Sequence, residues 1–131
     1  MPCATQNEVD LEDAKNIVAN GTRYYIEVAN MPSTSSALEY LSARENIIVA
    51  PSKAVNAGGV CVSGLEMSQN SQRLSWTAEE VDTRLKAAMK DIYNNSVDAA
   101  KRYGLGYNLV AGANIAGFEK VADAMMTQGV Y

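Results

Sequence analysis

Apolar positions repeat along the first third of this chain with two alternating periods. Over residues 10–19, Ala14, Ile17 and Val18 share one face at helical spacing; Asp10 is placed to cap that helix, and Glu12 and Asp13 suit the positive end of its dipole. Asn20-Gly21 ends it. Tyr24-Tyr25-Ile26-Glu27-Val28 is aromatic and β-branched and bounded by turn residues, so it predicts a strand. Ser33, Thr34 and Ser35 offer caps for a second helix, whose stripe of Ala37, Leu38 and Leu41 runs to about Arg44. The continuous apolar run over residues 46–51 predicts a second strand, covered on both faces. Met1-Pro2-Cys3-Ala4-Thr5 reads as the end of a third buried strand with no lead-in, which makes the chain a piece of something longer.

Strand, helix, strand, helix, strand, recurring about every two dozen residues, predicts an α/β fold with parallel strands and crossover helices. That is the C-terminal half of a doubly wound, Rossmann-like domain, expected over residues 1–75. The pattern then turns helical, and residues 76–131 form a second segment of long helices. Thr77-Ala78-Glu79-Glu80 is a capping box, followed on one face by Val81, Leu85, Ala88, Met89, Ile92, Ala99, Ala100 and Tyr103. Lys101, Arg102 and Gly104 close that helix. A last helix from about residue 108 to 128 carries Val110, Ile115, Phe118, Val121, Ala122 and Met125, an apolar face expected to lose some of its cover in this segment alone.

Composition narrows the chemistry. Of 131 residues 47% are hydrophobic, enough for one domain with its own core. A net charge of −4 with 11 basic residues lacks the cationic footprint of a nucleic-acid binder and is repelled by anionic membrane surfaces. Apolar runs fall well short of the ~20 residues that cross a bilayer. Acidic residues stand where a signal peptide needs a basic start and an apolar middle, so the expected location is cytoplasmic. Cys3 and Cys61 stand apart and the sequence has no histidine, which argues for reduced thiols, against a metal site, and against a Ser/His/Asp or Cys/His catalytic set.

Ligands of open α/β sheets gather where strands run into helices. Three stretches qualify, at residues 3–8, 29–33 and 51–63, each read as a loop rich in small residues and amides. In the third, Asn56-Ala57-Gly58-Gly59-Val60 leads to Ser63, a place for an anion if a helix starts there. Ordinary turn chemistry explains each loop equally well taken alone. Gly104-Leu105-Gly106 follows a helix rather than a strand, so it reads as a C-cap and turn and not as a dinucleotide fingerprint. Met67, Met125 and Met126 read as packing residues.

Together the loops carry a resemblance. Pro2-Cys3-Ala4-Thr5-Gln6-Asn7-Glu8, Ala29-Asn30-Met31-Pro32-Ser33, Asn56-Ala57-Gly58-Gly59-Val60, Ser63-Gly64-Leu65-Glu66-Met67-Ser68-Gln69-Asn70, Arg73-Leu74-Ser75-Trp76 and Gly112-Ala113-Asn114-Ile115-Ala116-Gly117-Phe118 closely resemble the C-terminal part of the hexameric glutamate dehydrogenases of bacterial type. The likeness spans essentially the whole chain. It departs from many relatives in having Val28 and Ser52 where they have glycine.

The resemblance implies hydride transfer between L-glutamate and NAD or NADP, giving 2-oxoglutarate and ammonium, in a homo-oligomer. It implies that Ala4, Thr5 and Gln6 line the cleft, that Asn30 reaches the nicotinamide carboxamide, and that Asn56 lies near the nicotinamide and its ribose. Val60 and Ser63 match positions that contact glutamate, with the Ser63 hydroxyl on the side-chain carboxylate. The catalytic lysine and aspartate of the family belong upstream, so this segment alone is expected to be inactive. The residue that selects NAD or NADP follows a fingerprint that this chain does not contain. Two other readings compete: a non-catalytic binding module made from half a nucleotide domain, and the same piece of a dehydrogenase for leucine or phenylalanine.

Overall fold

The computed structural model describes residues 3–129, in the order α1 (Leu11–Ala19), β1 (Tyr24–Ile26), α2 (Ser35–Ser42), β2 (Ile48–Ala50), α3 (Ser52–Val55), α4 (Ala57–Gln72), α5 (Ala78–Arg102) and α6 (Leu109–Gln128). The predicted caps form. Asp10 accepts from the Glu12 and Asp13 amides, Thr34 from Ala37, and Thr77 and Glu80 close a reciprocal box. The α5 end is a Schellman motif: Leu105 N–H returns to the Ala100 carbonyl and Gly104 N–H to Lys101, with Gly104 at φ +72°.

β1 and β2 pair in parallel, Tyr24 with Ile48, Tyr25 with Val49 and Ile26 with Ala50. The expected third strand is not found among the described residues. Ala4 and Thr5 form bends, Met1 and Pro2 lie outside the described residues, and the chain makes an isolated parallel bridge between Val9 and Ser33, outside the two named strands. The two strands are covered differently. Tyr25 and Val49 are buried against α1 and α2, while Tyr24 and Ile26 point outward and are exposed. On the other side α6 packs against β2, whose Ile48 and Ala50 are half-buried.

Residues 51–63 are helical, not a loop: α3 begins directly after Pro51, and Asn56 has helical backbone angles where α3 hands over to α4. The core is small and local, made of Val9, Ala14, Tyr25, Ala37, Leu41, Ile47 and Val49. α5 and α6 meet at a separate crossing built from Ser96, Ala99, Ala100 and Gly112. A Cβ at Gly112 would stand 1.9 Å from the Ser96 carbonyl oxygen, so only glycine admits this approach. The apolar stripe of α6 is divided: Val110, Ile115 and Ala122 are half-buried, Val110 against the core, while Phe118, Val121 and Met125 are exposed, as are Met67 and Met126. No helix among the described residues is long and apolar enough to cross a membrane.

Candidate functional site

The β1 carboxyl end, the bend at residues 4–7 and the start of α3 converge. Asn7 N–H donates to the Met31 carbonyl (3.0 Å), Val9 N–H to that of Pro32 (2.9 Å), and Thr34 N–H back to that of Val9 (3.0 Å). Asn7 and Met31 both sit at positive φ, 58° and 47°, which is uncommon for asparagine and costly for methionine. Strain of that kind persists where surrounding bonds over-determine the backbone, and it marks sites more often than scaffolds.

Asn30 and Asn56 are brought into direct contact, with Asn56 Nδ2 donating to Asn30 Oδ1. Their distance in sequence, 26 residues, hid the pairing. The bond uses one donor and one acceptor of the two amides. The Asn30 NH₂ group and the Asn56 carbonyl oxygen are the complementary halves that remain. A carboxamide presents the matching oxygen and NH₂.

Asn56, Val60 and Ser63 recur at i, i+4 and i+7 and therefore lie along one face of α4. From Asn56 to Ser63 the helix rises about 10 Å. Val60 is 77% exposed and Ser63 is exposed, its hydroxyl donating to the Gly59 carbonyl at 3.2 Å. Ser63 thus stands well inside a helix instead of at a helix start. An incoming carboxylate is an alternative acceptor for that hydroxyl proton.

Ala4, Thr5 and Gln6 are exposed and reach the amide pair through the backbone joint at Asn7. Glu8 occupies the inner side of their bend. Its Oε1 accepts from Ala4 N–H (3.0 Å), from Thr5 N–H and from the Thr5 hydroxyl (2.7 Å). Those bonds, the Thr5 hydroxyl foremost, hold the Glu8 carboxyl below its ordinary range. Partial burial, reinforced by the Glu8 charge, pushes the Cys3 thiol up and makes it a poor nucleophile.

Glu27 was not anticipated. It is 2% exposed, and Oε1 accepts from Ser33 Oγ (2.6 Å) while Oε2 accepts from Ser52 N–H (3.1 Å). Tyr25 Oη, whose ionisation burial makes harder, lies 2.7 Å from the same Ser33 hydroxyl. The signal was available: two residues beyond the buried Tyr25, Glu27 falls on the same face of an extended chain. Lys53 Nζ bonds Asn114 Oδ1 and ties α3 to α6. The site is an open surface. An apolar cavity of about 110 Å³ between α3, α5 and α6, lined by Pro51, Ala54, Met89, Ile92 and Leu109, contains none of these side chains. The described residues hold no cluster of His, Cys, Asp and Glu suited to a metal.

Parallel strands whose carboxyl ends bring two asparagine amides together, with a helix carrying a hydroxyl beyond them, define an α/β unit. Residues 1–129 match the model of the Glutamate/Leucine/Phenylalanine/Valine dehydrogenase family, and the chain belongs to that family. It is 72% identical over 130 residues to the NAD-specific glutamate dehydrogenase of Clostridium symbiosum, and 54% identical over 136 residues to the NADP-specific glutamate dehydrogenase of Haemophilus influenzae. A solved glutamate dehydrogenase superposes with a TM-score of 0.95 at 72% identity, over 99% of this chain and 29% of that one. The alignments cover 99% and 100% of this chain, which spans about 29% of the length of these relatives.

Proposed function

We propose that this chain is the C-terminal part of an NAD- or NADP-dependent glutamate dehydrogenase and forms the nicotinamide side of its cleft. The observation that carries the reading is the Asn30–Asn56 pair, whose remaining NH₂ and carbonyl groups complement a carboxamide. The bound cofactor would supply the hydride acceptor; the chain's own residues orient it. Asn30 and Asn56 fix the plane of the ring, the bend at Ala4, Thr5 and Gln6 lines the cleft, and Val60 with Ser63 receives the substrate about two helical turns away. The Ser63 hydroxyl leaves Gly59 to donate to the glutamate side-chain carboxylate. That hydroxyl favours glutamate over leucine or phenylalanine, whose side chains offer it no acceptor.

In this reading residues 1–75 are the second half of a Rossmann-like domain and residues 76–131 run back toward a substrate domain. The whole enzyme is a cytoplasmic homo-oligomer, and the segment alone is inactive because the groups that move protons lie upstream. The test is a Ser63→Ala substitution in the full-length protein carrying this segment. A charged carboxylate deprived of its donor loses roughly 1.5–3 kcal/mol, so kcat/KM for glutamate should fall by about ten- to a hundredfold while cofactor binding is retained. Unchanged glutamate kinetics would remove the substrate assignment, and a preference for leucine over glutamate in the unaltered enzyme would remove the reaction.

A further inference from the structure

We propose that Glu27 is a positioning residue, whose buried carboxyl group locks the β1–α2 and β2–α3 connections together and so sets the spacing of Asn30 and Asn56. The proposal rests on the nicotinamide reading of that pair. Burying a carboxyl group is costly unless its oxygens are bonded, and an apolar side chain would fill the same space without the penalty. What an apolar side chain lacks is a pair of acceptors pointing in different directions. Glu27 uses them to hold two separate segments: Ser33, three residues after Asn30, through Oε1, and the Ser52 amide, four residues before Asn56, through Oε2.

Its backbone extends the same joint. Glu27 N–H donates to the Ala50 carbonyl at 3.1 Å, continuing the sheet ladder one step past β1, and Tyr25 backs the Ser33 hydroxyl from the core side. Asn30 itself is exposed and follows the strand end by a short turn containing the left-handed Met31. With the two segments tied at Glu27, both asparagines are carried on one frame. Hydride transfer depends on near-attack geometry, so the benefit of that frame is felt in kcat.

The test compares Glu27→Gln, Asn56→Ala and the double variant in the full-length dehydrogenase carrying this segment. Glutamine keeps the volume but has one acceptor oxygen in place of two, so with the Ser52 N–H bonded to it the Ser33 hydroxyl can no longer donate to residue 27. Glu27→Gln should lower kcat at saturating cofactor and glutamate by about tenfold and leave KM for glutamate nearly unchanged. The double variant should be no slower than the slower single variant, because both act through one amide pair. Losses that multiply, or an unaltered kcat, overturn the proposal. If Glu27→Gln does not fold, Ser33→Ala should give the same kcat loss and Ser33→Thr should restore it; equal rates for the two overturn the proposal. Crystal structures separate this outcome from the functional reading. An Asn30–Asn56 bond broken in Glu27→Gln upholds the positioning role even if the unaltered enzyme ignores glutamate, whereas a bond left intact refutes it.

Discussion

Residues 3–56 and the helices α4 to α6 are held by opposite means. The first region encloses itself: seven side chains form a core, and the strand ends above it are tied by Glu27, Ser33 and the backbone joints at Asn7 and Val9. The second buries little. α4 has no buried residue, α5 is buried only at Ser96, Val97, Ala99 and Ala100, and α6 only at Leu109 and Gly112. Enclosure fixes many side chains at once, which suits a surface that must present amides in a set geometry. The close crossing of α5 and α6 fixes two helix axes, with α4 leaning on α5 at Gly58 and α6 on β2, and leaves long stretches of all three helices exposed.

The contrast is broken most strongly at Leu41, which is completely buried in the first core. Leu41→Ala should cost about 2–5 kcal/mol, the sum of lost transfer energy and the cavity left behind. Urea unfolding followed by tyrosine fluorescence and by hydrogen exchange should show β1, β2 and α2 losing protection while the α5–α6 crossing keeps its own. Loss of protection in both regions together would mean that the two are one cooperative unit.

Gly112→Ala probes the other region. The added methyl meets backbone, not a flexible side chain, so the helices must separate at a cost of about 1–3 kcal/mol. Hydrogen exchange in α5 near Ser96 should rise and that of β1 should not. Little change in thermal stability would show that α6 can shift freely along α5.

The smallest effect is one of pH, at the bend of residues 4–8. The Glu8 carboxyl is held below its ordinary value, so its stabilising bonds are fully formed above the ordinary glutamate range and are lost as pH falls through the lowered value. An NMR titration should place the Glu8 midpoint below the value of about 4.3 for a free glutamate, with the Thr5 amide signal moving in step. In Glu8→Gln the Thr5 signal should stay still over that range. A Glu8 midpoint at the free value would show the bend to be held by its backbone alone.

Much of this was legible locally. Helix caps at Asp10, Thr34 and Thr77, the stop at Gly104 and the parallel strand pair follow from rules that act within a few residues, and the ordered loop motifs identify the family. Other features were not. The aromatic, β-branched run of β1 marked a strand but not its cover: its face carrying Tyr24 and Ile26 stays exposed, whereas β2, the continuous apolar run, has Val49 buried and Ile48 and Ala50 half-buried. The glycine pair at residues 58 and 59 suggested a loop, yet Gly58 lies in α4 against Leu85 and Met89, where a larger residue would crowd the neighbouring helix.

What the sequence determined by itself, then, is the order and type of elements and the residue chemistry gathered at the strand ends, because period, capping and turn preferences are short-range properties of the chain. Only the tertiary structure decided that Asn56 meets Asn30, that Glu27 joins Ser33 to Ser52, that Gly112 is a contact point and that the α6 stripe is half-buried at Val110 but exposed at Phe118, Val121 and Met125. Each of these depends on how elements cross in space. Pairings between residues distant along the chain have no period to reveal them, and the same apolar stripe serves equally for a core or for an outward face.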